Sequence, residues 1–185
     1  SYNEGTVTSP KGFQAAGVCA GFKSSGKPDC AMLCTETPAT AAGAFTTNRL
    51  AAAPVQYDRE LLAGDRPLKA LFVNSGVANA CTGEEGWQCV KQTAEAVSKY
   101  WSKTTPEAVL IASTGRIGEL PDMQIMEKGI AGCVENLTTE ESATPASAIL
   151  TTDTTPKTLA ATCTIDGQTV TIGGMAKGAG MIAPR

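Results

Sequence analysis

Apolar residues fall into short runs broken by Gly, Pro or charge, and their spacing switches between steps of two and steps of three or four. Asp29-Cys-Ala-Met-Leu-Cys34 and Ala41-Ala-Gly-Ala-Phe45 have the length and composition of short strands. Ala53-Pro-Val-Gln-Tyr57 reads as a further extended piece, limited by its Pro. Leu68-Lys-Ala-Leu-Phe-Val73 predicts a stronger strand, ending at the turn signal Asn74-Ser75-Gly76. Thr82 and Glu85 then have the spacing of a capping box at a helix start. Trp87, Val90, Ala94, Val97 and Trp101 follow at three- and four-residue steps and so share one helix face. Ala108-Val-Leu-Ile-Ala112 predicts a buried strand that enters Ser113-Thr114-Gly115. Met123, Met126 and Ile130 predict a second helix, and the segment before Leu150, with Pro145 near its start, a third. Thr158 to Ile165 and Gln168 to Ile172 are β-prone runs joined by Asp166-Gly167, the two-residue turn that matches strand twist, and predict a hairpin. Gly173-Gly-Met-Ala-Lys-Gly-Ala-Gly180 is too rich in Gly for an element interior and predicts a backbone-dense loop. Strands interleaved with helices, plus an antiparallel hairpin, predict an α+β fold of mixed sheets covered by helices rather than a doubly wound one.

Composition narrows the function classes. The 185 residues, 42% of them apolar, suit one domain with a real core, and no linker or internal repeat divides residues 1–185. A net charge of −3 with scattered Lys and Arg leaves no basic stripe for phosphates, so no nucleic-acid partner is expected. Apolar runs fall short of the roughly 18 residues a membrane span needs, so no membrane partner is expected and the chain reads as soluble and intracellular. Seven cysteines form an odd set without CxxC pairs, and there is no His, so reduced and mostly buried thiols are expected, with no metal site.

The missing His also excludes a Ser-His-Asp or Cys-His arrangement within these residues. An N-terminal Ser, Thr or Cys can instead use its own α-amine as base, since that amine titrates near ~7.7. Ser1 is such a candidate and would make an amidohydrolase of the N-terminal-nucleophile type; the plainer reading is a small residue at a frayed end. Three other stretches carry candidate chemistry. Thr114-Gly115, leaving a strand, can present consecutive backbone amides as an oxyanion hole, although Thr and Gly also end strands for ordinary turn reasons. Thr151-Thr152-Asp153-Thr154 gathers hydroxyls around a carboxylate, as a substrate site or as an Asx-type turn. Lys177 stands alone among glycines, where a single ammonium can meet a ligand carboxylate; the order and the following Ser/Thr of a phosphate loop are absent.

Read in order, these stretches resemble the ornithine acetyltransferase family, also called glutamate N-acetyltransferase. The resemblance begins with Val7-Thr-Ser-Pro-Lys-Gly-Phe-Gln-Ala-Ala-Gly17, Ala41-Ala-Gly-Ala-Phe-Thr-Thr-Asn48 and Ala52-Ala-Pro54. It continues through Asn74-Ser-Gly-Val-Ala-Asn-Ala-Cys-Thr-Gly83, Ala112-Ser-Thr-Gly-Arg-Ile-Gly118 and Thr151-Thr-Asp-Thr154, and closes with Gly173-Gly-Met-Ala-Lys-Gly-Ala-Gly-Met-Ile-Ala-Pro184. Val77 stands where a polar residue is common and Arg185 where Asn or another small polar residue is, and neither is a carried-over site residue.

The resemblance implies a layered α-β-β-α sandwich and a precursor that cleaves itself before a Thr. Residues 1–185 would be the α chain, with the nucleophilic Thr beyond Arg185 at the start of a β chain and a dimer of α-β heterodimers, a heterotetramer, as the assembly. By the same resemblance Thr114 and Gly115 match the oxyanion hole, and Thr151 and Lys177 match substrate-binding positions. The implied reaction is ping-pong transfer of an acetyl group from N-acetylornithine to glutamate in the cyclic arginine pathway. No cofactor is expected; some members also use acetyl-CoA. The expected compartment is the cytoplasm, or an organelle matrix in a eukaryote. Reading the gene past Arg185 checks the first of these expectations: a Thr within a few codons and an open frame of comparable length should follow, and a stop codon there removes the two-chain reading.

Overall fold

The computed structural model describes residues 2–180, with the backbone alone for Tyr2 and Asn3. Its larger sheet has the order β2-β3-β4-β5, made of β2 (Phe13–Val18), β3 (Cys30–Ala39), β4 (Leu68–Val77) and β5 (Val109–Arg116). The first three run antiparallel, while β4 and β5 are parallel, so the sheet is mixed. A smaller sheet, β1-β6-β7, is built from β1 (Tyr2–Asn3), β6 (Lys157–Ile165) and β7 (Gln168–Ala176). Among the described residues no helix is long and apolar enough to cross a membrane.

Alternation along the strands sorts the larger sheet into two faces. Cys30, Met32 and Cys34 of β3, Ala70 and Phe72 of β4, and Val109 and Ile111 of β5 join one core. The helices that cover this face are α1 (Ala53–Ala63), α2 (Gly83–Tyr100) and α3 (Met123–Glu135). Val90, Ala94 and Val97 of α2 lie in this core with Trp101, as their spacing predicts, while Trp87 is half-buried and meets the Tyr57 ring edge-on at 6.0 Å. Met126 and Ile130 of α3 complete it. The opposite face, with Ala31, Val73 and Ala112, packs against Ala148 and Ile149 of the short α4 (Thr144–Ala148) and its end, and against Met175 of the smaller sheet.

Several expectations are corrected. Residues 53–57 are the first turns of α1: Pro54 sits at the helix start, where its missing N–H leaves nothing unsatisfied. Residues 41–45 form no strand, because they have no partner strand; the Arg59 guanidinium lies over the Phe45 ring at 5.7 Å. Asn74-Ser75-Gly76 is not a turn but the end of β4, and Ser113-Thr114-Gly115 lies within β5 beside it. Thr82 does precede α2, but its hydroxyl makes no cap and donates instead to Asn79 Oδ1 at 2.8 Å. Residues 173–176 belong to β7 rather than to a loop, and a Cβ on Gly173 would lie 2.2 Å from the Thr6 carbonyl oxygen, so a bare backbone is required there. Strand β2, unanticipated, is rich in Ala and Gly, and Gly17 lets the start of α4 approach closely. The thiols are less uniformly buried than expected: Cys30, Cys34 and Cys133 are buried and Cys89 half-buried, whereas Cys19, Cys81 and Cys163 are exposed. Burial raises the Cys34 and Cys133 thiols to about 12.

Strand β5 is an edge strand, and one of its amides is closed by a side chain: Ile111 N–H donates to Asp58 Oδ1 of α1 at 2.9 Å. Burial pushes the Asp58 carboxyl up to about 7, and the Ile111 amide only partly opposes the shift. A folded-state value above the unfolded one means that this group stabilises the fold at acid pH, and that the contribution fades as pH rises towards about 7. Asp58→Asn keeps an acceptor for Ile111 without titrating, so its melting temperature should gain on wild type between pH 5 and pH 8, by the equivalent of about 1–3 kcal/mol. Melting of the complete protein at both pH values measures it, and two parallel curves would remove Asp58 as the titrating group.

Candidate functional site

The parallel pairing of β4 with β5 sets Asn74 opposite Ser113, Ser75 opposite Thr114 and Gly76 opposite Gly115. A Cβ on Gly115 would lie 2.3 Å from the Gly76 carbonyl carbon and 2.6 Å from Val77 N, and Gly115 has φ +138°. Only glycine fits both limits, so the strand ends can lie backbone against backbone. Polar side chains close the surroundings of this contact. Buried Asn74 accepts from Ser113 Oγ at 2.6 Å and donates from Nδ2 to the Val77 carbonyl at 2.9 Å, tying β5 to the end of β4. Ser75, fully buried, donates its hydroxyl to the Ala148 carbonyl and its amide to the Asp29 carbonyl at 2.8 Å. The Asp29 carboxylate in turn accepts from the amides of Ala20, Gly21 and Lys23, which holds the loop that seats Phe22 against Gly76.

Beside the Gly115 contact the structure gathers three of the sequence candidates. Lys177, the first residue after β7, donates from Nζ to Thr114 Oγ1 at 2.9 Å and to Thr151 Oγ1 at 3.4 Å. These partners are 63 and 26 residues away along the chain. A hydroxyl that accepts from an ammonium keeps its own hydrogen for another acceptor, and the ammonium retains a third N–H. The cluster therefore offers one concentrated positive charge and at least two hydroxyl donors beside an exposed Gly115 backbone, a combination that suits a carboxylate together with a developing oxyanion.

Asp153 does not face this cluster as a ligand group. Its Oδ1 accepts from Lys157 Nζ at 2.6 Å and from Gly178 N–H at 2.7 Å. The Lys157 bond and then the Gly178 amide hold its carboxyl down at about 2 and outweigh the desolvation that opposes them. Lys157 is the member of this group that sequence reasoning missed, as it did the Asn74–Ser113 bond. The available signal was the pair of Asn/Ser-Ser/Thr-Gly triplets closing two consecutive apolar strands, which parallel pairing puts in register. Ser1 and residues 181–185, including Met181-Ile-Ala-Pro184 and Arg185, lie outside the described residues.

Thr114, Thr151 and Lys177 are exposed or half-exposed, so the cluster is an open surface and not a pocket. A cavity of about 390 Å³ lies apart from them, between Arg49, Gln56 and Glu60 on one side and Cys81, Glu84 and Trp87 on the other.

The chain is 46% identical over 181 residues to the arginine biosynthesis bifunctional protein ArgJ of Thermosynechococcus vestitus, covering 98% of this chain and 43% of that protein. It is 42% identical over 184 residues to the chloroplastic ArgJ of Oryza sativa, covering 98% of this chain and 40% of the relative. The chain thus spans less than half the length of these curated relatives. Among solved structures it is similar to the ornithine acetyltransferase of Mycobacterium tuberculosis complexed with ornithine, with TM-score 0.91 and 40% identity, covering all of this chain and 98% of that one. It is also similar to ArgJ from Bacillus halodurans, with TM-score 0.92 and 37% identity, covering 96% of that chain. A profile of the ArgJ family matches residues 14–185, a span that takes in Thr114, Gly115, Thr151 and Lys177, and the chain belongs to the ArgJ family.

Proposed function

We propose that residues 1–185 form the α chain of an acetyltransferase that moves an acetyl group from N-acetylornithine to glutamate, with its nucleophile, a Thr, opening a second chain from the same precursor. The observation that carries this reading is the Lys177 ammonium held between Thr114 and Thr151 beside Gly115. Lys177 and Thr151 take the α-carboxylate that the acetyl donor and acceptor share, so one site serves both half-reactions. The Thr hydroxyl adds to the acetyl carbonyl and charge gathers on the carbonyl oxygen, against Thr114 and Gly115. The C–N bond breaks, ornithine leaves with the proton, and the acetyl group stays as an ester on Thr. The amine of glutamate then attacks that ester, a new C–N bond forms, and the Thr oxygen regains its proton.

The need for a second chain has three supports. The α chain contains no His to serve as base. The match to the mycobacterial structure covers nearly all of that chain, whereas the curated relatives are more than twice as long as the matched segment. On one face of the β6–β7 hairpin, Leu159, Ile165, Val170 and Ile172 are 50%, 55%, 36% and 60% exposed, an apolar surface that asks for a cover. The covering chain supplies the outer sheet and helices of an α-β-β-α sandwich, and the heterodimers pair again. Self-cleavage before the Thr creates the two chains. No cofactor takes part, and the setting is cytoplasm, or an organelle matrix in a eukaryote, as the chloroplastic rice relative suggests.

Mass spectrometry of the protein made from the complete gene and mixed with N-acetylornithine tests the reading. An acetyl adduct on the N-terminal Thr of the second chain is expected; an adduct on Ser1, or an uncleaved unacetylated product, overturns it. Ser1→Ala should leave acetyl exchange intact. Thr114→Ala removes the side-chain hydroxyl and leaves the backbone amide, and with that hydroxyl as one of the oxyanion donors it should lower kcat by about 10²–10³. Lys177→Met should raise KM for N-acetylornithine and glutamate alike; a rise for only one of them would exclude a shared carboxylate site.

A further inference from the structure

Lysine side chains have about four rotatable bonds and seldom hold one position without help from the backbone that carries them. Lys177 is the first residue beyond β7, where ladder pairing has ended: the last pair in the hairpin joins Lys157 to Ala176. Among the described residues, the backbone just past that point is held by a carboxylate. Asp153 Oδ1 takes the Gly178 N–H at 2.7 Å, immediately after Lys177, and the Lys157 ammonium at 2.6 Å, from the residue opposite Ala176. Asp153 also lies two residues after Thr151, the second hydroxyl bound by Lys177. Both hydroxyl-to-ammonium distances thus depend on where this carboxylate stands.

Building on the proposed function, we infer that Asp153 is the positioning residue of the site: it sets the place of the Lys177 ammonium relative to Thr114 and Thr151. The side chain is covered, and its second oxygen, Oδ2, has no hydrogen-bond partner among the described residues. The open end of the hairpin, the Thr151 loop and the Lys177 turn are joined at this one group, so its loss frees the turn without removing any group that touches substrate.

The test uses the complete, processed protein in five forms: wild type, Asp153→Ala, Asp153→Asn, Lys177→Met and the Asp153→Ala/Lys177→Met double variant. Asn retains an acceptor for the Gly178 amide, whereas Ala does not. Hydrogen exchange at residues 176–180 should accelerate in Asp153→Ala and return towards wild type in Asp153→Asn. Labelling of Lys177 by an amine-reactive reagent should follow the same order. Where acetyl transfer is measured, Asp153→Ala should lower kcat/KM by roughly ten- to a hundredfold, with Asp153→Asn recovering most of it. Because the effect runs through Lys177, adding Asp153→Ala to Lys177→Met should cost less than about twofold more. Unchanged exchange and labelling in Asp153→Ala overturn the inference, as does a full additive loss in the double variant. A wild type that exchanges and labels as expected but transfers no acetyl group instead defeats the functional reading and leaves the inference standing.

Discussion

The structure is organised around two backbones that touch where β4 and β5 end. Gly76 and Gly115 face each other across parallel strands with no room for a Cβ between them, and the neighbouring residues serve that contact. Asn74 bridges to Ser113 and to the Val77 carbonyl, Ser75 reaches α4 and Asp29, and Asp29 folds the loop that lays Phe22 on Gly76. A contact of this kind is intolerant, because interiors are close-packed and a displaced strand end has no nearby alternative minimum. It leaves Thr114 and Gly115 presented on a rigid strand, the setting from which a preorganised donor acts with least reorganisation.

The two sides of the candidate site are built differently. Thr114 and Gly115 belong to a buried sheet whose core holds Phe72, Val109 and Ile111, while Thr151 and Lys177 lie on connecting chain at the margin of the smaller sheet. The first side draws its position from ladder pairing, the second from a few side-chain bonds at the open end of a hairpin. Rigidity is thus inherited on the side where charge would develop and assembled locally on the side that would grip a carboxylate.

Elements governed by local rules were readable from the residues. Periodic spacing gave α2 and α3, and Asp166-Gly167, with φ of 49° and 76°, gave the hairpin. Elements set by tertiary contact were not. Strand β2 lacks β-branched residues except at its end because Gly17 must admit α4, and α1 buries only Ala53 and Pro54 fully, which leaves little amphipathic signal. Asn74-Ser75-Gly76 has the composition of a turn but remains in the sheet, since its polar groups find partners in other segments. Of the site, the ordered motifs named Thr114, Gly115, Thr151 and Lys177 through a family resemblance; that one ammonium meets both hydroxyls is visible only after folding. Asp153 was legible as a polar cluster and not as an anchor, because the irregular chain between α4 and β6 that brings it to Lys157 and Gly178 follows no local pattern.

The β6–β7 hairpin bears on how such a chain is handled. Strand β7 is the outer strand of its sheet, and Val170 and Ile172 lie on the same side as Leu159 and Ile165 of β6. Unpaired ladder groups beside a flat apolar face form a template onto which identical hairpins stack. Left uncovered at high concentration, residues 157–176 are therefore where this chain would begin to precipitate, and co-expression with a covering polypeptide is a sounder route to material than refolding it by itself.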